Sequence, residues 1–290
     1  MTANKPLKKM ICAALAGVSV FASAMMFSAC TTSHPKVEMK IAFHGETYTL
    51  EYKLYRKRAP STVQHFLELV EHGYYDGLCV HDYNSSSEKL YTGGYTYDAN
   101  QTADGGLVEK NYFDIVKDWN MTQTVWDIND KDPVYTLYGE FSDNGFSVEN
   151  GALKQSYGSL TMYYTPKEKC ATYVDVKRSD GKGNDAKLYK YNSATSLFYI
   201  SLSSSSSGSG TSYCTFATLE DDSVEVLDDL KAAITDYIED EYEGNAADFA
   251  PTSKVVVDED DRYVGSDKES REYSVPLEPI VIKSVKVKSY

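Results

Sequence analysis

Apolar and polar residues alternate along much of the chain, and this alternation predicts a fold built mainly of β-strands. Residues 36–55 form two alternating runs around His44-Gly45-Glu46, which is typical of a β-hairpin. The other strand-like runs are residues 90–97, 134–141, 159–165, 196–202, 213–219 and 277–287. Because the last run lies near the end of the chain, we expect it to complete a sheet.

Two segments show helical periodicity instead. The first is predicted to begin after Pro60, with Ser61 as N-cap, and to end at Gly73. Its apolar positions are Val63, Phe66, Leu67 and Val70. The second begins at about Ser223, and its apolar positions are Leu227, Leu230, Ile234, Tyr237 and Ile238. Many strands and only two helices favour a closed antiparallel barrel with helices covering its open ends.

Two segments interrupt this pattern and are interpreted as insertions. Residues 98–132 are polar and acidic, with Trp119 and Trp126 as signs of burial, so we expect this insertion to pack on the domain. Residues 166–191 are charged and contain glycine, which indicates a second long surface segment. Residues 203–212 consist almost wholly of serine and glycine and are predicted to form a flexible loop.

The first 30 residues have the pattern of an export signal. Three lysines precede residues 11–29, which are uncharged and mostly apolar. The run ends in Phe27-Ser28-Ala29-Cys30, which resembles the bacterial lipobox, in which small residues precede a cysteine that becomes lipidated. We therefore expect a signal peptide at 1–29, a lipidated Cys30, a tether at 30–35 and a folded domain at 36–290. The alternative is an uncleaved membrane anchor, and both place the domain outside the cytoplasm.

Charge excludes one class of partner. The 290-residue chain has a net charge of -14, and the predicted signal holds lysines but no acid, so the exported part is more negative still. Such a surface repels nucleic acid and anionic lipid headgroups. The chain also has 25 tyrosines, which suit a β-rich surface or an aromatic groove.

Reactive and metal-binding residues show no informative spacing. Cys79, Cys170 and Cys214 have neither zinc nor redox spacing, so we expect buried thiols and at most one disulfide, whose pairing stays open. The five histidines show no ligand spacing, and no G-x-S-x-G motif occurs. The sequence therefore predicts no metal, no cofactor and no nucleophilic mechanism.

Six segments in order resemble the cyclophilin family of peptidyl-prolyl cis-trans isomerases. They are APSTVQHFLELVEHGYYDGLCVH, YTGGYTYD, GEFSDNGF followed by GSLTMYY, NSATSLFYISL, YCTFATLEDDSVEVLDDL and LEPIVIKSVKV. The resemblance covers residues 36–290, apart from the two insertions. It implies an eight-stranded barrel with a helix at each end, and a monomeric isomerase that assists the folding of exported proteins.

The resemblance also implies where the site lies. Peptide-bond rotation faces a barrier of roughly 18 to 20 kcal/mol, so an isomerase needs an apolar pocket for proline and a donor that weakens amide resonance. The family uses an arginine in Phe-His-Arg, and Val80-His81-Asp82 matches that segment, which places Asp82 at the catalytic position. The implied substrate-binding residues are Leu90, Thr92, Met162, Tyr163, Leu197, Tyr199 and Tyr213.

Two functions follow from this comparison of scaffold and site. An ionised Asp82 cannot donate a hydrogen bond, so the first is an isomerase-like lipoprotein with weak or lost activity. The second is a non-catalytic module that binds extended, proline-containing segments. Its expected aromatic surface comprises Tyr91, Tyr95, Tyr163, Tyr164, Tyr199 and Tyr213. The alternative for these tyrosines is that they are ordinary barrel residues.

Overall fold

The computed structural model describes residues 33–101, 103–146, 153–164, 173–178, 180–188, 193–203, 212–258 and 268–290. The predicted signal at 1–29, Cys30 and Cys170 lie outside the described residues, as do residues 204–211 of the serine- and glycine-rich segment. Ser33–Ser289 forms one compact unit. No helix within the described ranges is long and apolar enough to cross a bilayer.

The strands in chain order are β1 (Lys36–Phe43), β2 (Glu46–Leu54), β3 (Asp82–Asn84), β4 (Lys89–Thr92), β5 (Tyr95–Tyr97), β6 (Leu107–Glu109), β7 (Val125–Asp127), β8 (Leu137–Tyr138), β9 (Leu160–Met162), β10 (Tyr173–Lys177), β11 (Asn184–Leu188), β12 (Ser193–Ala194), β13 (Phe198–Ser201), β14 (Thr215–Leu219), β15 (Thr252–Asp258), β16 (Lys268–Ser274) and β17 (Val281–Ser289). Eight of them form one antiparallel sheet in the order β17-β1-β2-β14-β9-β13-β4-β3. The predicted eight-stranded, mainly β fold is confirmed.

The first two strands form the predicted hairpin. Phe43 pairs with Glu46, so only His44 and Gly45 form the turn, and both have positive φ, at 45° and 86°. Two consecutive left-handed residues match the type I′ turn, whose twist suits antiparallel strands.

The two edge strands of the sheet are linked by the segment that precedes β3. The Gly77 N–H donates to the Ile282 carbonyl at 2.8 Å, and the Ile282 N–H donates to the Leu78 carbonyl at 2.7 Å. Cys79 then bridges Val281 in the antiparallel sense. Residues 77–79 therefore run beside β17 immediately before the chain enters β3.

The helices in chain order are α1 (Pro60–Glu71), α2 (Tyr112–Lys117), α3 (Val224–Tyr242) and α4 (Ala246–Phe249). Proline at the first position of α1 fits its missing N–H, and Gly73, at φ 66°, ends the helix as predicted. The assignment of Ser61 as N-cap was wrong, because Ala59 occupies that position. The Ser61 N–H instead donates to the carboxylate of Glu140, at 2.9 Å.

The two long helices bury their apolar faces against the main sheet, as their periodicity predicted. The Phe66 ring of α1 lies 5.8 Å from the Phe198 ring of β13 and 5.0 Å from the Phe216 ring of β14, measured between centroids. On α3, Leu227, Leu230, Ile234 and Ile238 are buried. Burial of each such side chain contributes roughly 1.5–3 kcal/mol before entropy is counted.

The segment at 98–132 packs on the domain through α2. The Trp119 ring stacks on the His72 ring with centroids 4.1 Å apart, and the Tyr112 hydroxyl lies 3.1 Å from His65 Nε2. The segment at 166–191 contains the antiparallel pair β10 and β11, which joins β7 in a three-stranded sheet. These strands, and the β15–β16 hairpin, were not anticipated from the sequence.

Candidate ligand-binding face

Strand alternation divides the predicted site residues between two faces of the main sheet. On β4, Leu90 lies opposite Ile200 of β13, whereas Tyr91 lies opposite Tyr199. Leu90 and Ile200 belong to the main hydrophobic core, while Tyr199 does not. Because successive side chains of a strand point to opposite faces, Lys89, Tyr91 and Tyr199 share the outer face.

Three residues from the predicted substrate-binding set lie on the inner face. Leu90 and Thr92 are 0% exposed and Met162 is 1% exposed. Leu90 and Met162 pack in the main core, and the Thr92 hydroxyl donates to the Cys79 carbonyl at 2.8 Å. In this structure the three side chains stabilise the domain and do not reach the outer face.

Leu197 lies beside the Gly93-Gly94 pair. A Cβ built on Gly94 would meet the Leu197 side chain at 2.6 Å, and one built on Gly93 would collide with the Ser196 carbonyl oxygen. The Leu197 carbonyl also accepts a hydrogen bond from the Tyr163 N–H at 2.9 Å. The two glycines therefore let the chain around Leu197 approach β4 closely.

Four tyrosines lie together on the outer side, and we call them the tyrosine face: Tyr91, Tyr163, Tyr199 and Tyr213. The Tyr91 ring centroid lies 5.1 Å from that of Tyr199 and 5.5 Å from that of Tyr163. The Tyr199 and Tyr213 centroids are 6.5 Å apart. Tyr199 is 1% exposed and Tyr213 is 40% exposed, so the face runs from a buried centre to an open edge.

Two tyrosines expected on this surface lie elsewhere. Tyr95 packs in a separate cluster against the Tyr273 ring, with centroids 5.7 Å apart. Tyr164 belongs to the main core, where its hydroxyl accepts a hydrogen bond from the Cys214 N–H. The expected group of six tyrosines therefore divides between the outer face and two buried clusters.

Lys89 is a residue of this face that the sequence did not identify. Its ammonium lies 4.5 Å from the Tyr199 ring centroid and 6.0 Å from that of Tyr213. Burial lowers the pKa of Lys89 below its usual value. The available signal was the spacing between Lys89 and Tyr91, since residues two apart on a strand share a face.

Asp82 forms part of an inter-strand contact. Its carboxylate accepts a hydrogen bond from the Ser274 N–H of β16 at 2.9 Å, and on its other side the residue pairs with Tyr91 of β4. Burial raises the pKa of Asp82, while the Ser274 N–H acts in the opposite direction. The carboxylate thus attaches the β15–β16 hairpin to the edge of the main sheet.

The same hairpin brings Arg271 and Tyr273 towards this edge. Burial raises the pKa of Tyr273 to about 12, against the opposing effects of a hydrogen bond with Tyr95 and the positive charge of Arg271. The Tyr273 ring also lies 4.8 Å from the ring of His81, the residue before Asp82. In the sequence Arg271 is not adjacent to the site, so it could replace the family's arginine only through long-range placement. The hairpin that carries it was not predicted.

His81 is buried between two tyrosine rings, at centroid distances of 5.0 Å to Tyr95 and 4.8 Å to Tyr273. Burial lowers its pKa to about 3, so the imidazole is neutral at physiological pH. In the described structure Nδ1 has no hydrogen-bond partner. This histidine is therefore a packed core residue whose imidazole carries no charge at neutral pH.

Cys79 and Cys214 are buried free thiols, and burial raises the pKa of each. Across the described ranges, no group of three or more histidine, cysteine, aspartate or glutamate residues is arranged to hold a metal ion. The arrangement suits binding of an extended segment by aromatic contacts and by the single ammonium of Lys89.

One family model matches most of the chain. The family model for the cyclophilin type peptidyl-prolyl cis-trans isomerase/CLD matches residues 37–245. A crystal structure of a cyclophilin type peptidyl-prolyl cis-trans isomerase from Cryptosporidium parvum is 18% identical and covers 89% of this chain and 99% of its own, with a TM-score of 0.40. A second structure of that protein, in the presence of the dipeptide Ala-Pro, is 17% identical over 88% of this chain and 99% of its own, with a TM-score of 0.40. A comparison with curated proteins finds no match. The family-model match spans well over half of the sequence, and the chain therefore belongs to the cyclophilin type peptidyl-prolyl cis-trans isomerase family.

Proposed function

We propose that this chain is a lipoprotein, attached to the membrane outside the cytoplasm through Cys30, whose cyclophilin-type domain binds proline-containing extended segments of exported proteins. Its isomerase activity is weak or lost. The export pattern of residues 1–30 supports the location, and the family supports the class of ligand. The acidic composition favours protein clients over nucleic acid.

The main support for weak or lost activity is the environment of Asp82. The residue stands where the family resemblance places a donating arginine, and its carboxylate accepts the Ser274 N–H. An ionised carboxylate repels the carbonyl oxygen that the arginine would bind. Losing one preorganised donor costs on the order of 3 to 4 kcal/mol of transition-state stabilisation, or a hundredfold or more in rate.

The tyrosine face supports retention of binding. Tyr91 and Tyr199 lie on adjacent strands, and the more exposed Tyr213 extends the surface outward. Aromatic rings offer large contact areas to the pyrrolidine ring and to an extended backbone without needing a catalytic donor. An aromatic surface without a catalytic donor favours, as a second candidate, a wholly non-catalytic binding module.

A protease-coupled isomerisation assay on the full chain tests the level of activity. An active member of the family, measured beside it, is the reference, and we expect a rate at least about a hundredfold lower. A rate equal to the reference would refute weak or lost activity. Arg271→Gln then distinguishes the remaining cases, because any residual rate that depends on the hairpin guanidinium falls in this variant, whereas a background rate does not.

Binding is measured separately with a fluorescent proline-containing peptide. We expect Tyr213→Ala to weaken binding by about tenfold or more, because Tyr213 is the most exposed ring of the tyrosine face and aromatic side chains carry much of the affinity in such interfaces. Tyr290→Ala, at the exposed end of the chain, is the matched control and should leave binding unchanged. Equal affinities of the two variants would exclude the tyrosine face as the binding surface.

Lipidation is tested by expressing the full chain with Cys30→Ala. The unchanged chain is expected in the membrane fraction, with the mass of a diacylglyceryl-modified cysteine at its new N-terminus. The variant should lose that mass. An unchanged mass and fractionation pattern would show that residues 11–29 act as an uncleaved anchor instead.

A further inference from the structure

We propose that Lys89, with the rings of Tyr199 and Tyr213, forms a subsite for a carboxylate of the bound segment, next to its proline. The partner is thus an extended segment of another protein in which an acidic side chain neighbours proline. This inference rests on the proposed function, since it specifies which segments the tyrosine face selects.

The position of Lys89 follows from the strand. It lies two residues before Tyr91 on β4, so both side chains stand on the outer face. In the paired strand Lys89 lies opposite Ser201, one diagonal step from Tyr199. The ammonium lies over the Tyr199 ring at 4.5 Å from its centroid, within the range of a cation–π contact.

Among the described residues, no acid pairs with the ammonium of Lys89. Two other part-buried lysines do have one, since Lys231 lies 2.8 Å from a Glu88 oxygen and Lys36 lies 2.7 Å from a Glu220 oxygen. Within the described structure Lys89 has ring contacts but no carboxylate within 4.0 Å. An unpaired, half-buried ammonium is costly, and a ligand carboxylate would reduce that cost.

The geometry leaves donors for a ligand. An ammonium has three N–H groups, and among the described residues the Lys89 ammonium contacts only the rings of Tyr199 and Tyr213. A segment that crosses the tyrosine face meets the remaining donors, and a carboxylate is the acceptor that also neutralises the charge. Asp82 lies at the other end of this edge, opposite Tyr91, and repels acidic groups there. The two charges together direct a ligand carboxylate towards Lys89.

The test compares two fluorescein-labelled peptides that differ only beside proline, one with Glu-Pro-Glu and one with Gln-Pro-Gln. Binding to the full chain is measured by fluorescence anisotropy at low salt. We expect the glutamate peptide to bind about five- to tenfold more tightly, as befits a charge-assisted hydrogen bond at a half-buried site. The difference should shrink at about 0.5 M salt because screening weakens partly exposed ion pairs.

Three variants identify the group responsible. Lys89→Met keeps the aliphatic contact and should bind both peptides equally, whereas Lys89→Arg should retain the preference. Lys110→Met is the matched control, because Lys110 lies 4.5 Å from the Tyr74 ring centroid in a similar contact but is not on the tyrosine face. It should retain the preference as well.

The outcomes separate the inference from the proposed function. If both peptides bind the unchanged chain with equal affinity, the carboxylate subsite is refuted while peptide binding stands. If neither peptide binds, both are refuted. The salt titration of the unchanged chain needs no substitution, so a variant that fails to fold leaves the inference testable, and a preference that salt does not weaken contradicts it.

Discussion

Glu140 holds the start of α1 from a distant part of the chain, and its removal should destabilise the fold strongly. Its carboxylate accepts hydrogen bonds from the Ser61 N–H, the Thr62 N–H and the Thr62 hydroxyl, at 2.9, 2.9 and 2.7 Å. The first N–H groups of a helix have no partner within the helix. Glu140→Ala would leave these donors without their acceptor beneath the helix.

The magnitude follows from the number of donors and their burial. Each buried N–H without an acceptor costs about 1–3 kcal/mol, and two are affected. The Thr62 hydroxyl has a second neighbour, Cys214 Sγ at 3.5 Å, so its loss is smaller. Removing a buried carboxylate also recovers part of its desolvation cost. The net expectation for Glu140→Ala is a loss of about 2–4 kcal/mol, or on the order of 10 °C in Tm.

Urea denaturation at pH 7 measures this difference, and Glu68→Ala is the matched control. Glu68 also accepts three hydrogen bonds, from Gln64 Nε2, the Thr122 N–H and the Thr122 hydroxyl, but at a partly exposed position. Its removal should cost less than about 1 kcal/mol, because water replaces the lost acceptor. Equal costs for the two variants would refute the assignment of Glu140 as a buried cap.

The pH dependence gives a second readout of Glu140. Burial raises the pKa of this carboxyl above the value of 4.5 expected for the unfolded chain, although its hydrogen bonds oppose the shift. Its protonation therefore stabilises the fold fully below about pH 4.5, and this contribution is lost as pH rises through the folded-state pKa. Relative to Glu140→Gln, which does not titrate, the unchanged chain should gain stability as pH falls from 7 towards 4.5.

Three further predictions concern other parts of the fold. The pKa of His81 is about 3 in the folded chain against 6.5 in the unfolded chain, so the fold should lose about 2 kcal/mol of unfolding free energy between pH 6.5 and pH 5. Urea titrations should show that His81→Phe avoids this loss. If the unfolding free energies of the variant and the unchanged chain depend on pH in the same way, this prediction is refuted. Gly93→Ala, at φ 102° and against a backbone carbonyl, should cost more than about 3 kcal/mol of unfolding free energy, whereas Gly45→Ala, at φ 86° with open space, should cost about 1 kcal/mol. Asp82→Ala should speed amide hydrogen exchange at Ser274 roughly five- to tenfold for a lost hydrogen bond of about 1 kcal/mol, and unchanged exchange would show that the contact does not hold the hairpin.

The parts of the fold that follow from local patterns were predictable. The turn at His44-Gly45 lies within a run of strict alternation, and the face of α1 shows a 3.6-residue period. In both cases the residues that determine the local structure are neighbours in the sequence: the two turn residues of the hairpin and the apolar stripe of the helix. The order of six family-like segments then indicated the barrel architecture.

The composition of the tyrosine face was harder to predict because it depends on strand register. A one-residue shift in register moves each side chain of a strand to the opposite face of the sheet. In this structure Leu90 and Thr92 lie in the interior, while Lys89 and Tyr91 lie on the outer face. Likewise, the cap of α1 comes from Glu140, 79 residues after Ser61, and no local pattern reports such a contact. Long-range acceptors and inter-strand register are properties of the folded chain.

Asp82 and the β15–β16 hairpin depend on each other, which explains why the missing arginine cannot be considered alone. The Ser274 N–H needs an acceptor at residue 82, and a carboxylate provides one, whereas a guanidinium has only donors. Asp82→Arg would therefore place two donors against each other and displace β16 together with Tyr273, whose ring packs on His81. We predict that Asp82→Arg alone leaves the proline isomerisation rate of this chain unchanged, because an arginine at residue 82 would also require the hairpin to move.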